Sequence, residues 1–158
     1  MTKFVWVLVP TIAAAQPGPP SPAKEVTAYV KANAGTWTCS GNVWMPDGKP
    51  YPVTATLVVK GDLNDFWVHE TFAGKMAMGA FTFETYATHD AGGWHAYVMT
   101  SLGGYASGSD SEMTGSDPFG KYTLHLKQAV DKGAWKRSAE RSLDGKTWVH
   151  DYDVTCKK

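Results

Sequence analysis

The sequence has little cysteine, no excess of either charge and no long apolar run. Two cysteines among 158 residues exclude a disulfide-dense miniature scaffold and the Cys-x-x-Cys pairs of structural zinc sites. Fifteen basic residues against fifteen acidic ones leave no electrostatic reason to expect nucleic acid as a partner. The longest apolar stretch sits at the N-terminus and is too short to cross a bilayer as a helix, so no membrane insertion is expected. What is present is aromatic: 7 Trp, 7 Tyr and 6 Phe suffice for a sizeable core in one domain, while 16 Gly and 9 Pro mostly punctuate short apolar runs.

Catalytic motifs are missing as well. There is no phosphate-binding loop and no dinucleotide fingerprint. His69-Glu70 begins like a zinc-protease helix motif, yet Ala73 stands where the second His is required. In Gly104-Tyr105-Ala106-Ser107-Gly108 the serine is one place from the nucleophile-elbow position. The run 110–115 resembles half of a calcium loop, but Lys121 occupies the place of its closing acid, so it reads as a solvated loop. His69, His89, His95, His125 and His150 show no i, i+2 or i, i+4 spacing. A non-catalytic role is the leading reading, and an enzyme acting on a small substrate through His150 and Tyr152 is an alternative with no motif behind it.

The first residues look like a targeting segment. Lys3, the apolar stretch 4–12 and Ala13-Ala14-Ala15 before Gln16 have the layout of a secretory signal peptide. Residues 1–15 are expected to be removed, 16–20 to form a Pro-rich linker and 21–158 to make one domain, secreted or periplasmic. Export permits a disulfide between Cys39 and Cys156; two buried free thiols are the alternative. Such a bridge closes most of the mature chain into one loop, an effect of about 4 to 5 kcal/mol in the chain-entropy picture.

Ser21-Pro22-Ala23-Lys24-Glu25 reads as a helix start with Ser21 as N-cap and Pro22 in the first helical position, and Asn33-Ala34-Gly35 as its end. Beyond it the hydrophobic period falls to two. Turn signals near Asp47-Gly48, Gly61-Asp62, Gly74, Gly92-Gly93, Asp117-Pro118, Gly133 and Asp144-Gly145 separate segments 36–45, 51–60, 66–72, 81–88, 94–102, 121–130, 134–142 and 147–156. Short antiparallel strands with one helix predict an all-β, up-and-down barrel of about eight to ten strands.

A Cys39–Cys156 pairing predicts the closing register. In an antiparallel pair Gly41 then faces Val154, Val43 faces Tyr152 and Met45 faces His150, with one mainly apolar side. If Asp144-Gly145 is a two-residue turn, Arg137 faces Tyr152, Ala139 faces His150, Arg141 faces Trp148 and Lys136 faces Asp153; a longer, bulged loop would reassign Arg137 and Arg141. The first register gathers Arg137, Arg141, His150 and Tyr152 inside, among Trp37, Trp135 and Trp148. No inward acid is evident on the neighbouring strands, so an anionic ligand group or trapped water is expected to satisfy the two arginines. Arginines stacked on tryptophan at the barrel rim are the bland alternative.

The frame Gly35-Thr36-Trp37-Thr38-Cys39, Gly103-Gly104-Tyr105 and Ser142-Leu143-Asp144-Gly145-Lys146-Thr147-Trp148 leading to Cys156-Lys157-Lys158 resembles a family of small secreted bacterial proteins classed as domains of unknown function. The resemblance spans roughly 35–158. It implies a calycin-like barrel, related in architecture to lipocalins and fatty-acid-binding proteins, with the cysteine pair as part of the frame, and it carries over no catalytic residue because the family has no established activity. Fatty-acid-binding barrels hold a carboxylate with an Arg and a Tyr near their last strands, and Arg137 with Tyr152 is similar in kind. The expectation is an exported barrel that binds a small amphipathic or apolar molecule without cofactor. Alternatives are a haem or metal binder through His150 and a filled barrel that acts as a structural or interaction module.

Overall fold

The computed structural model describes residues 20–76, 79–131 and 133–158. The expected signal peptide and most of the linker lie outside them. One helix, α1 (Lys24–Asn33), precedes ten strands: β1 (Gly35–Trp44), β2 (Pro50–Asp62), β3 (Trp67–Met76), β4 (Gly79–Asp90), β5 (Gly93–Thr100), β6 (Tyr105–Gly108), β7 (Glu112–Asp117), β8 (Gly120–Asp131), β9 (Ala134–Ser142) and β10 (Val149–Lys157). Each strand pairs antiparallel with its sequence neighbour and β10 returns to β1, so the sheet is a closed up-and-down barrel. Closure leaves no sheet edge to be covered.

The seam follows the expected register: Cys39 faces Cys156, Gly41 faces Val154 and Val43 faces Tyr152. The cysteines are bridged. Gly41 is required there, because a β-carbon would strike the Asp153 carbonyl and sit 2.7 Å from the Val154 α-carbon. Met45 lies beyond the end of β1, so its expected pairing with His150 does not form.

The β9–β10 hairpin departs from the expectation. Residues 143–148 form a six-residue connection instead of a two-residue turn. The Asp144 carboxylate accepts hydrogen bonds from the Lys146 and Thr147 backbone N–H groups and from the Ser142 hydroxyl. The Thr147 N–H and then the Lys146 N–H hold its carboxyl well below the usual range. A bulge between His150 and Tyr152 then shifts the ladder: Arg141 faces Val149, Glu140 faces His150, Ala139 faces Tyr152, Arg137 faces Val154 and Lys136 faces Thr155. Two further corrections concern boundaries. The helix begins at Lys24 after Ala23, with no side-chain cap, because Ser21 and Pro22 still belong to the extended approach. The supposed solvated loop 110–115 contains the start of β7, paired with β6 and β8.

The topology fixes what each end of the barrel is. Helix α1 packs on β2, β3 and β4, and Val26, Tyr29 and Val30 join the main core. It lies across the end where β1, β3, β5, β7 and β9 begin. Trp37 donates from Nε1 to the Asn33 carbonyl at 2.9 Å, and the Lys158 ammonium donates to the Ala34 carbonyl at 3.0 Å while lying over the Trp37 ring. Orphan carbonyls at the helix C-terminus thus find donors from β1 and from the last residue of the chain. The opposite end carries only connecting loops.

Candidate functional site

The interior is fully buried beneath α1 and only part-buried toward the loop end. Under α1, Tyr29 meets Trp94 and Trp135 edge to face, and Trp37 meets Trp135 at 5.5 Å. Trp37, Leu57, Val59, Val68 and Trp135 are buried there. Toward the other end, inward positions of β3, β4, β5 and β8 carry Phe72, Phe83, Val98, Leu124 and Leu126, set by the two-residue alternation. These five are only part-buried. Phe72 and Phe83 pack against the main core and Val98, Leu124 and Leu126 against a smaller one of Ala96, Ala106 and Met113, so this half is more loosely closed than the half beneath α1.

Two charged clusters occupy the lumen. The first sits beneath the helix: Arg137 Nη1 donates to Glu70 Oε2 at 2.9 Å, and the Tyr29 hydroxyl donates to Glu70 Oε1 at 2.6 Å. Glu70 is buried. Burial works against the Arg137 charge, but the adjacent Glu70 carboxylate overcomes it and raises the Arg137 pKa. Burial first, then the Glu70 charge, pushes the Tyr29 hydroxyl upward, so it stays a donor. Tyr152 is raised mainly by burial, with Arg137 opposing. The pairing overturns the expectation that Arg137 lacks an acid.

The second cluster lies near the loop end. Arg141 Nη1 forms an ion pair with Asp117, 2.8 Å from Oδ2, and lies 4.0 Å from Asp151 Oδ1. The guanidinium carbon is 4.3 Å from the Tyr122 ring centre, a cation–π contact. Burial, with a further contribution from Asp117 against the pull of Arg141, raises the Asp151 carboxyl to about 6. Arg141 Nη2 is buried and has no hydrogen-bond partner among the described residues. Arg141 too has its acids, which the sequence reading did not find.

Of the seven expected site residues, the structure brings Trp37, Trp135 and Arg137 together beneath the helix, sets Tyr152 opposite Val43 between the two charged clusters and puts Arg141 in the lumen at the other end. His150 and Trp148 are corrected to the outer surface. His150 pairs with Glu140 on the water side and packs against Trp44 at 5.1 Å. Trp148 stacks on His125 at 3.6 Å, and His125 is itself half-exposed beside Glu112. The six-residue connection and the bulge cause both changes. The other histidines sit against carboxylates too: His69 on Glu84, His89 on Glu25 and His95 on Asp90. Among the described residues no group of three or more His, Cys, Asp or Glu is placed to hold a metal.

Glu70, Tyr29, Asp117 and Asp151 are the interior groups that sequence reasoning missed. Glu70 was within reach: it falls between Val68 and Phe72 on the inward alternation of β3. Its failure as a protease motif hid that simpler reading. Asp151 was not legible, since only a bulge turns it inward.

No protein-family model matches the sequence, and no curated protein does. Among solved structures, the chain is similar to the crystal structure of Rv2717c from M. tuberculosis, at 16% identity and a TM-score of 0.67 over 87% of this chain and 99% of that one. At that identity the likeness concerns the barrel fold.

Proposed function

We propose that this chain is an exported carrier or receptor barrel that holds one small apolar or amphipathic molecule in the half of its lumen away from α1, without chemistry on it. The observation that carries the reading is the row of inward yet part-exposed side chains Phe72, Phe83, Val98, Leu124 and Leu126 beside a closed, aromatic-packed end. An apolar wall wetted from inside favours uptake of an apolar guest, because each buried square ångström contributes about 25 cal/mol. The Cys39–Cys156 bridge supports a working place outside a reducing cytoplasm. Membership of the secreted family that the sequence frame resembles belongs to the same proposal.

Arg137 has no part in holding an anion under this reading, since Glu70 already occupies it. Trp37 and Trp135 form the floor of the lumen and do not contact the guest. The test is uptake of an uncharged naphthylamine fluorophore by the mature protein. Val98→Trp should fill the lumen and abolish the fluorescence gain, whereas Met99→Trp, one residue on and exposed on the outside, should leave it intact. Equal effects of both substitutions, with circular dichroism showing both folded, would overturn the lumen as the site.

A further inference from the structure

The cluster at the loop end has a donor and an acceptor left over. Arg141 Nη1 is ion-paired with Asp117, while its Nη2 is buried without an acceptor among the described residues. Asp151, 4.0 Å away and mostly buried, accepts no hydrogen bond among the described residues, for its approach to Nη1 is beyond hydrogen-bond length. An unmet buried donor is costly, so the fold gains from any group that fits between them. Both lie toward the loop end: Arg141 faces Leu124 on β8, and Asp117 and Asp151 lie at the ends of β7 and β10 nearest the loops.

Charge decides which group fits. The charged and titratable neighbours are Asp117 from β7, Tyr122 from β8, Arg141 from β9, and Asp151 and Tyr152 from β10. With both aspartates ionised the cluster carries one cation against two anions. A carboxylate arriving there adds a third negative charge where burial already disfavours the second. A hydroxyl or a primary amide adds none, and can accept from Arg141 Nη2 while donating to Asp151.

We propose that Arg141 and Asp151 form the head-group site of the lumen, and that it selects an uncharged head able to donate and accept one hydrogen bond, a hydroxyl or primary amide, over a carboxylate. This inference rests on the reading of the lumen as a ligand site. It also moves the polar end of the guest from Arg137 and Tyr152 to the barrel mouth. The raised Asp151 pKa supports a dependence on acidity: below about pH 6 Asp151 becomes neutral and discrimination against a carboxylate weakens.

The experiment is calorimetric titration of the mature, disulfide-bonded protein with 1-decanol and with decanoate, for the unsubstituted chain and for Asp151→Asn. At pH 7.5 the alcohol should bind at least about tenfold more tightly than the acid, as expected for one uncompensated like-charge contact. Asp151→Asn should shrink that ratio to about threefold or less, mainly by tightening decanoate. Lowering the pH to 5 should do the same in the unsubstituted chain. If both probes bind but the ratio is near one, or is unchanged in Asp151→Asn, the head-group assignment falls while the lumen reading stands. If neither probe binds to either protein, both fall together.

Discussion

Replacing Glu70 by Leu should be among the most damaging single changes available in this barrel. The carboxylate is buried and takes one hydrogen bond from Arg137 at 2.9 Å and one from Tyr29 at 2.6 Å. Its removal leaves the Arg137 guanidinium, side chain 23% exposed, without its paired acid, and breaking a buried pair from one side costs about 3–5 kcal/mol. Arg137→Met should cost a similar amount, as it leaves Glu70 charged and buried. Removing both charges together leaves neither partner stranded, so Glu70→Leu with Arg137→Met should cost much less than the two single changes added. The assay is urea unfolding of the disulfide-intact protein. With a slope of about 2 kcal/mol per M, each single change should lower the midpoint by about 1.5–2.5 M. Single changes that each cost under about 1 kcal/mol, and that add in the double variant, would refute the claim that the pair is buried and coupled.

Further outcomes follow from the same structure. Tyr29→Phe should cost about 1.5–3 kcal/mol, the loss of a hydrogen bond to a charged group, and should speed amide exchange in α1, measured by hydrogen–deuterium exchange. Trp135→Ala, in the floor, should cost about 3–5 kcal/mol in the same urea assay, whereas Trp148→Ala, on the outer face against His125, should cost well under about 1.5 kcal/mol. Asp151 has a folded pKa of about 6 against an ordinary 3.8, so between those values the folded state binds the extra proton and stability falls as pH rises. The penalty is absent below about pH 4 and complete above about pH 6, roughly 3 kcal/mol at most. Asp151→Asn should therefore stabilise at pH 7 and change little at pH 4, read as melting temperature at the two pH values. Breaking the Cys39–Cys156 bridge should cost up to about 4–5 kcal/mol, checked by denaturation with and without reductant.

The parts of this fold set by local chemistry were readable from the sequence. The change from helical to two-residue period after Gly35, the turn residues between apolar segments and the pairing of the two cysteines led to a closed barrel with the right seam. β6 and β7 escaped because four and six residues rich in Gly and Ser carry almost no alternation, and their pairing is a property of the closed sheet. The interior charges were harder. Arg137 was legible as inward, yet its partner Glu70 lies 67 residues away in sequence, and only barrel closure brings β3 opposite β9. At the last hairpin the error came from one turn: Asp144 organises a six-residue loop through its carboxylate where Asp-Gly suggested a tight turn. A bulge at Asp151 then exchanged the inside and outside roles of the residues that follow the loop, and with them those of His150 and Trp148.

Uptake of a guest into the lumen is tested most directly by methyl-resolved NMR during titration with 1-decanol. The expected result is saturable shifts at Val98, Leu124 and Leu126, which face inward and are part-buried, with none at Val58, Leu63 and Leu143, which are exposed. Shifts confined to the exposed set, or no shift at any of the six, would contradict it.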